Sequence, residues 1–420
     1  MSREISVRPL PVTEVSAWDH EADVVVVGFG HAGAAAALGA LEHGDDVLIL
    51  ERGGGSEGTC GGVIYLGGGT PMQAAMGFED TPEAMATFLR AALGPGVDEE
   101  KLHAYCWGSV EHYHWLVDNG VPYPAGPDEE GSPFMFVPED GYREFGSAQY
   151  AGGGLTYTGG EQSYPFDELT PAVPRGHLMR DPDENPYALF DGAILRRLAA
   201  TIEQTAARRL FNLGVERLVV DPDGAVVGVE GRSFGERVLI RARGGVVLTT
   251  GGFIYNDDMV GAHNPALLAA TKLGHGGQDG LGIRMAQASG ADVMHMGSAD
   301  ATLFMFPPMS FARGILFNRL GQRFVNEDTY YGRSGGEALR QPGAEAMLLV
   351  DHEIYVESAM RRPAYASESL TELETEIGLP AGSLAQTVAY YNEHAARGED
   401  PMFHKRAEWV KPLSPPYAVI

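Results

Sequence analysis

The chain has 420 residues, which is too long for one hydrophobic core, so we expect two or three domains. Hydrophobic residues make up 44% of the sequence and charged residues 21%, a composition typical of globular proteins that excludes a disordered chain. Thirty Lys and Arg against 57 Asp and Glu give a net charge of −27, and this negative field disfavours nucleic acid and anionic membrane surfaces as partners.

The first predicted elements form the beginning of a βαβ unit. Residues 1–20 contain no apolar h-region, so no secretory signal is expected. Residues 23–27 read DVVVV, a run typical of a parallel strand that is buried on both faces. We predict an Ala-rich helix at 32–43 and a second strand at 47–50. Glycines interrupt this apolar stretch, which favours a strand and a helix over a membrane span.

Residues 28–33, between this strand and helix, read GFGHAG. A GxGxxG string alone is a weak signal, but here Glu51 follows the next strand, as in dinucleotide-binding folds. Gly28 would make the tight turn, Gly30 would let a pyrophosphate approach, and Gly33 would let the helix pack on the strand. The helix N-terminus offers N–H donors to phosphates, and Glu51 can accept hydrogen bonds from a ribose. The sequence therefore predicts a dinucleotide site, with a ligand-free Gly-rich turn as the alternative.

Two later Gly-rich loops favour FAD over NAD as this dinucleotide. After residues 51–53, an NAD domain would usually continue into its third strand, but residues 59–62 (TCGG) form a second Gly-rich loop. Its hydroxyl group can hold a pyrophosphate or ribityl chain. Much later, the apolar strand 246–249 leads into the Gly-containing residues 250–252. Three loops in which backbone can approach a ligand closely indicate a long, extended cofactor.

The remaining pattern predicts an α/β protein with a second domain. We predict helices at 82–119, 192–213, 280–289 and 380–397, and strands at 215–220, 225–229, 237–241 and 245–249. Residues 121–186, rich in Pro, Gly and Tyr, are interpreted as an ordered excursion because their aromatic residues favour burial. We place an FAD-binding domain at 1–260, including an excursion at 70–190, an inserted domain at 261–410, and a return to the first domain at 411–420.

Taken in order, these motifs resemble the flavoprotein family of fumarate reductase, succinate dehydrogenase and 3-ketosteroid dehydrogenases. The resemblance is carried by residues 28–33, 51–52, 59–62, 250–253, 279–286 and 321–327. The last string, GQRFVNE, is quite specific. Residues 61–70 and 157–177 look most similar to 3-ketosteroid dehydrogenases of the Δ4-(5α) type. The resemblance implies a Rossmann-like FAD-binding domain interrupted by an α+β capping domain that carries catalytic residues.

Non-covalent FAD is predicted to bind to the loops that carry the resemblance. The predicted cofactor-binding residues are Gly28, Gly30, His31, Ala32, Gly33, Glu51, Arg52, Thr59, Cys60, Gly61, Gly62, Val215, Thr250, Gly251, Gly252 and Asp279. Covalent attachment at Cys60 is the alternative to a small residue packed by the isoalloxazine, which we favour. Cys60 and Cys106 are the two cysteines, too few for a disulfide framework or a Cys-rich metal site, and this usage fits a reducing cytoplasm.

The proton-transfer residue is predicted shortly after the Asn326-Glu327 pair. In fumarate reductases of this family, an Arg four residues after this Glu donates the proton. In the ketosteroid dehydrogenases that position is a Tyr, which abstracts the proton next to the ketone. Here it is Tyr331, preceded by Tyr330. An uncharged phenol suits a neutral ketosteroid, but its pKa of about 10 requires neighbouring donors near neutral pH. The alternative is that both tyrosines are packing aromatics.

Weaker candidates are predicted around this position. Phe304 and Phe306 belong to an apolar run that we interpret either as a core strand or as the wall of a steroid pocket. His275 lies in a Gly-rich loop and is predicted to line the active site, with a turn histidine as the alternative. Arg333 could replace the missing proton-donating arginine, although a structural or solvated role is favoured. No metal site is expected.

The sequence therefore predicts an FAD-dependent dehydrogenase that introduces a double bond next to a ketone. Its substrate would be a small molecule, a 3-ketosteroid, and a separate electron acceptor would reoxidise the flavin. The alternatives are a fumarate-reductase-like enzyme acting on a small unsaturated acid, and a flavin-binding protein without turnover. The second alternative arises because the resemblance implies a third, Ala-Ala-Gly-containing flavin segment without a counterpart in residues 380–420. We expect either a longer form of the chain or a family member without that segment.

Overall fold

A computed structural model describes residues 6–56, 58, 62–123, 150–152, 154–179, 192–274, 276–303, 309–357 and 362–420. The strands in these residues are β1 (Leu10–Pro11), β2 (His20–Val27), β3 (Val47–Leu50), β4 (Val63–Tyr65), β5 (Tyr150–Gly152), β6 (Leu155–Thr156), β7 (Gly176–Leu178), β8 (Arg208–Leu210), β9 (Leu213–Val220), β10 (Val226–Ser233), β11 (Glu236–Leu248), β12 (Ile315–Phe317), β13 (Met347–Asp351), β14 (Tyr365–Ser367) and β15 (Tyr417–Val419). The helices are α1 (His31–Glu42), α2 (Pro71–Ala75), α3 (Pro82–Leu93), α4 (Glu99–Trp107), α5 (Ser109–Asp118), α6 (Ala193–Glu203), α7 (Asp257–His263), α8 (Leu281–Ala288), α9 (Tyr331–Leu339), α10 (Leu370–Ile377) and α11 (Ser383–Ala395). None of the helices in these ranges combines the length and apolar character needed to cross a membrane.

The chain divides into two compact units, each assembled from separated segments. The first unit contains Met1–Gly62, Leu116–Val121 and Ala188–Ser298, and the second contains Val63–Trp115, Pro122–Tyr187 and Ala299–Ile420. These boundaries differ from the predicted ones at both ends of the inserted domain. Most of the excursion at 70–190 falls in the second unit, because β4, β5, β6 and β7 pair with one another in a sheet of their own. Residues 261–298 remain with the first unit.

The first unit is built on a seven-stranded sheet with the order β1-β9-β10-β11-β2-β3-β8. Strands β11, β2, β3 and β8 run parallel to one another. The valines of β2 and all four residues of β3 are buried or nearly so, as expected for central parallel strands. The carboxyl ends of parallel strands lie at one edge of the sheet, where α/β proteins bind ligands. The residues that follow β2, β3 and β11 at this edge are Gly28, Glu51 and Thr249.

Strand β11 corrects the prediction of two separate strands at 237–241 and 245–249. One continuous strand, Glu236–Leu248, pairs first with β10 and then runs alongside β2. Its register with β2 shifts between Ala242 and Gly245. A Cβ at Gly244 would lie 3.1 Å from the carbonyl oxygen of Asp23, so the glycine allows the two backbones to approach at this bulge. The Gly-Gly pair therefore marks a bulge within a strand rather than a turn.

Helix α6 is shorter than the predicted helix at 192–213. It buries an apolar face that includes Leu195, Leu198 and Ile202, which confirms the amphipathic pattern. The helix ends at Glu203, where the Thr205 hydroxyl donates to the Ile202 carbonyl and accepts from a following backbone N–H. Such local side-chain bonds compete with helix continuation. The residues beyond this turn form β8, which extends the parallel sheet beside β3.

The second unit contains two antiparallel four-stranded sheets, ordered β12-β13-β15-β14 and β4-β7-β6-β5. The core of the first sheet packs against α11 through Leu384, Val388 and Tyr391. Strand β15 lies between β13 and β14 and buries Tyr417 and Val419 in this core. Residues 411–420 were predicted to return to the first domain. They belong instead to the second unit, because β15 completes this sheet.

Candidate active site

The Gly-rich turn at residues 28–33 joins β2 to α1. Gly28 has a φ of +104°, and a Cβ there would lie 2.5 Å from the carbonyl oxygen of Thr249. A Cβ at Gly33 would lie 2.0 Å from the carbonyl oxygen of Gly28. Neither position has room for a side chain, as the motif predicts. Gly30, the N-cap of α1, has a φ of −87°, which any residue can adopt. A glycine is therefore not required there by the backbone conformation, only by the space that a ligand would need.

Glu51 fastens this turn to the end of β3. Its carboxylate accepts the backbone N–H of Phe29 at 2.7 Å through Oε2 and that of Gly53 at 2.8 Å through Oε1. The residue is 7% exposed. Each oxygen retains a lone pair for a further donor. Glu51 therefore holds the loop in place and remains able to bind a ribose hydroxyl.

The loops that follow β11 and precede α8 converge near Arg52. The Arg52 guanidinium donates to Asp279 Oδ2 at 3.1 Å, and both side chains are half-exposed. Asp279 also accepts the backbone N–H of Leu281 at the start of α8, at 3.0 Å. The backbone N–H of Gly280 donates to the carbonyl oxygen of Gly252 at 3.1 Å. Predicted cofactor residues that are far apart in the sequence are therefore brought together within the first unit.

The donors at the start of α1 fit an anionic dinucleotide. The N-cap, Gly30, provides no side-chain bond to the first turn, and no acidic residue lies in that turn. The buried Nε2 of His31 has no hydrogen-bond partner among the described residues, and desolvation lowers the pKa of His31. Ala32 and Gly252 are exposed, and no atom of the described residues lies within 4 Å of a Cβ built on Gly252. These open donors match a phosphate group at a helix N-terminus.

Several predicted residues do not contribute to this geometry. Val215 lies in β9, and its side chain is buried in the core of the first unit. Gly62, with a φ of +75°, stands at the end of the second Gly-rich loop. Thr250 packs on α8, since a Cβ at Gly282 would lie 1.9 Å from its Oγ1. The predicted residues outside the described part of the chain are Thr59, Cys60, Gly61, His275, Phe304 and Phe306.

The string GQRFVNE forms a buried ion network in the second unit. Arg323 donates two hydrogen bonds to Glu327, at 3.0 and 2.7 Å, and two to Asp400, both at 2.9 Å. Lys405 Nζ lies 2.9 Å from Glu327 Oε2. Burial alone would raise the pKa of Glu327, but the charges of Arg323 and Lys405 outweigh it and lower that pKa. Two cations and two carboxylates thus neutralise one another in the core.

A second set of buried contacts, next to this network in the sequence, fixes the loop that leads into α9. The side chain of Asp328 is fully buried and accepts the backbone N–H and the Nε–H of Arg406, at 3.1 and 2.9 Å. Ser163 Oγ donates to the Asp328 carbonyl oxygen at 3.3 Å. From the sequence, GQRFVNE was predicted only to mark the family resemblance. In the structure it positions the residues immediately before the predicted catalytic tyrosines.

Tyr330 and Tyr331 lie side by side at the start of α9. Their ring centroids are 4.3 Å apart, and both residues are half-buried. Desolvation holds the pKa of Tyr331 above its ordinary value, with a further rise from the charge of Asp300, although a hydrogen bond from Tyr330 acts in the opposite direction. The pKa of Tyr330 is raised by desolvation and by the negative charges of Tyr331, Asp300 and Glu161. Tyr331 is therefore the better proton acceptor of the two, because Tyr330 stabilises its phenolate.

Glu161 is a titratable group near this pair that the sequence analysis missed. It is 1% exposed and accepts the Tyr65 hydroxyl at 2.8 Å and the backbone N–H of Gly159 at 3.0 Å. Desolvation raises the pKa of Glu161 to about 7. The neighbouring Arg175 forms two hydrogen bonds to Asp80, and both of these side chains are fully buried. The signal in the sequence that could have identified Glu161 is that it is the single carboxylic acid in the Gly- and Tyr-rich segment 157–164.

Arg333, the alternative proton donor, is engaged by other groups in the second unit. Its Nη1 donates to the carbonyl oxygen of Tyr164 at 3.2 Å. Its guanidinium carbon lies 4.5 Å from the centre of the Phe166 ring, a cation–π distance. Desolvation lowers the pKa of Arg333. These contacts favour the structural role over that of a proton donor.

Comparisons with known proteins identify a flavoprotein family. The sequence matches the FAD binding domain family over residues 23–419. It is 44% identical to a 3-ketosteroid-Δ4-(5α)-dehydrogenase from Rhodococcus jostii, solved in complex with 4-androstene-3,17-dione; the match covers 98% of this chain and 85% of that chain, with a TM-score of 0.86. A 3-oxo-5-alpha-steroid 4-dehydrogenase from Comamonas testosteroni is 28% identical, over 81% of this chain and 69% of the relative. A probable fumarate reductase from Shewanella frigidimarina is 26% identical, over 94% of this chain and 63% of the relative. The chain thus spans about two thirds of the length of these two curated relatives.

Proposed function

The chain belongs to the family of FAD binding domains, and on this premise we propose that it is a dehydrogenase that introduces a double bond beside the ketone of a 3-ketosteroid. The predicted family resemblance and the FAD cofactor are confirmed by the family match and by the 44% identical steroid dehydrogenase. The observation that supports the proposed reaction is the hydrogen-bonded tyrosine pair at the start of α9. The steroid is proposed because two of these relatives carry ketosteroid activity in their names.

Residues of the first unit would hold FAD by its charged and hydroxyl groups. The open N–H donors of α1 would bind the pyrophosphate, and Glu51 would accept from a ribose hydroxyl. The loop at 250–252 would contact the cofactor through backbone. When bound, FAD supplies the acceptor for the hydride that leaves the substrate. We also propose a cytoplasmic location, on the cysteine usage alone, and a separate electron acceptor.

The proton would be removed by Tyr331. Its phenolate oxygen takes the proton from the carbon next to the ketone, and the hydrogen bond from Tyr330 offsets part of the desolvation that raises the pKa of Tyr331. The electron pair of this C–H bond forms the new double bond as the adjacent carbon loses its hydride. A neutral ketone needs no positively charged side chain to bind it. This agrees with the structure, in which Arg333 contacts Tyr164 and Phe166.

The test is dye reduction by ring-A-saturated 3-ketosteroids, measured with FAD-loaded protein. Tyr331→Phe keeps the ring and removes the ionisable oxygen, so turnover should fall roughly 10²–10⁴-fold while FAD stays bound. Tyr330→Phe is the matched control and should cost less, since it removes only the donor to Tyr331.

Fumarate and a reduced dye are assayed in parallel. Turnover of fumarate alone would favour the fumarate-reductase-like alternative and make Arg333 the next residue to replace. An FAD-loaded protein that turns over neither substrate class would support a flavin-binding protein without turnover. Wild-type rates in Tyr331→Phe would show that the base lies elsewhere.

A further inference from the structure

Glu161 is attached to the same loop that carries the tyrosine pair. The residue before it, Gly160, packs on Tyr330: a Cβ on Gly160 would lie 3.5 Å from the Cβ of Tyr330 and 3.7 Å from its backbone N. Two residues after Glu161, Ser163 Oγ donates to the carbonyl oxygen of Asp328. The segment is thus fixed on both sides of Glu161 against the residues that lead into α9.

The Glu161 carboxyl is enclosed by polar groups that leave its charge poorly compensated. Tyr65 on β4 donates to one oxygen and the Gly159 N–H to the other. The charge of Arg175, before β7, lowers the pKa of Glu161 to some extent, but Arg175 is already paired with Asp80. Among the described residues, the hydroxyls of Tyr157 and Tyr330 also face Glu161, and Arg406 in turn faces Tyr157. A neutral ion pair and three phenols cannot offset a buried negative charge, so burial raises the pKa of Glu161 to about 7.

The charge of Glu161 acts on the tyrosine pair through Tyr330. Desolvation is the main cause of the raised pKa of Tyr330, and a negative Glu161 raises it further. The hydrogen bond that Tyr330 donates opposes the desolvation that raises the pKa of Tyr331. Because Asp300 also faces both tyrosines, it adds to the negative field from a second direction. Deprotonation of the pair therefore becomes harder once Glu161 is ionised.

We propose that Glu161 is a positioning residue whose charge controls how readily the Tyr330–Tyr331 pair gives up and takes protons. This role rests on the proposed dehydrogenase function. The proton from the substrate carbon still goes to the Tyr331 oxygen, and Glu161 forms no bond to it. When Glu161 is neutral the pair deprotonates more readily, and when it is ionised the reaction slows.

The experiment compares the pH dependence of kcat in wild type, Glu161→Gln and Glu161→Asp, with a ketosteroid as substrate. The Gln side chain keeps an acceptor for the Tyr65 hydroxyl but stays neutral. Above about pH 7, Glu161→Gln should be about three- to tenfold faster than wild type, the effect of up to one pKa unit on the base. Below about pH 6 the two rates should converge, and KM should stay within about twofold. Glu161→Asp restores an ionisable group and should therefore restore a pH dependence of kcat like that of wild type.

Two kinetic outcomes would overturn the proposal. One is a Glu161→Gln profile that runs parallel to that of wild type. The other is loss of turnover at every pH with FAD binding and thermal stability intact, because the carboxylate would then be the proton acceptor itself. Glu374→Gln changes a buried carboxylate that accepts backbone N–H bonds from α11 and its N-terminal turn, and serves as the matched control.

An ultraviolet titration of tyrosinate tests the coupling without turnover. The difference between wild type and Tyr331→Phe assigns the Tyr331 signal, and its midpoint should be lower in Glu161→Gln. A lower midpoint in a protein that turns over no ketone would refute the proposed function and support the coupling. An unchanged midpoint would overturn the coupling, whether or not ketones are turned over.

Discussion

Replacing Glu161 with Gln is expected to stabilise the second unit at neutral and alkaline pH. Desolvation raises the pKa of this buried carboxyl from 4.5 to about 7. The folded protein therefore holds the proton more tightly than the unfolded chain does. The resulting stabilisation is fully present below about pH 4.5 and is lost as the pH rises through about 7. A Gln side chain is neutral in both states, so it carries no such loss.

The magnitude follows from the same two pKa values. At about 1.36 kcal/mol per pKa unit, the rise from 4.5 to about 7 removes about 3 kcal/mol from the free energy of unfolding by about pH 8.5. A little less than half of this loss has already occurred at about pH 5.5. Between these two conditions, the stability of wild type should fall by about 2 kcal/mol relative to Glu161→Gln. Changed bonds to Tyr65 and Gly159 add a contribution that does not depend on pH.

The assay is urea denaturation at about pH 5.5, 7 and 8.5, followed by tryptophan fluorescence. Trp409 is buried in the core of the second unit and reports on its unfolding. Glu374→Gln is the control and should destabilise the protein at all three pH values, because it weakens acceptance of two backbone N–H groups. Parallel pH dependences for wild type and Glu161→Gln would refute the argument that burial holds Glu161 neutral.

Three further outcomes are expected. Glu51→Gln should weaken FAD binding by about 1.5–3 kcal/mol, seen by titrating the apoprotein, because the amide cannot accept both backbone N–H groups and a ribose hydroxyl; unchanged affinity would contradict this role. Glu327→Gln should destabilise the second unit by about 3–5 kcal/mol in the same urea assay, since it leaves a buried positive charge unpaired, and a neutral effect would show that the network is dispensable. Gly33→Ala should lower both thermal stability and FAD occupancy, because the new Cβ would meet the Gly28 carbonyl. Gly252→Ala, whose new Cβ meets no atom in the part of the chain that the structure describes, should lower FAD affinity alone; an equal loss of stability in the two variants would contradict the clash.

The first unit was the more predictable part of the fold because its signals are local. The turn at 28–33, the strand at 47–50 and Glu51 all follow from glycine geometry and parallel-strand patterns, and the α/β class and FAD cofactor are confirmed. The continuity of β11 was missed because a glycine pair indicates a turn as readily as a bulge. The early end of α6 was missed because a single threonine is only a weak signal, in the sequence, for the end of a helix.

The catalytic surroundings in the second unit could be predicted only in part. Tyr330 and Tyr331 were predicted from the family resemblance, through their short distance in the sequence from Glu327, and their catalytic role remains a prediction. Glu161 and Arg175 were missed because the partners that define them, Tyr65 and Asp80, stand far from them in the sequence and meet only in the folded sheet. A raised pKa arises from burial and unpaired charge, and neither property is encoded at one position.

The segmented first unit has a consequence for the order in which the protein matures on the ribosome. Strands β2 and β3 are synthesised early, but their neighbour β11 lies more than 180 residues further on, beyond segments that belong to the second unit. The early strands must therefore wait through most of translation before the parallel sheet can close. Since Gly28 packs directly on Thr249, the nucleotide-binding turn lacks its packing partner until then. Cofactor capture is consequently a late event, and the edge of β2 stays open to pairing with other chains until β11 has been synthesised.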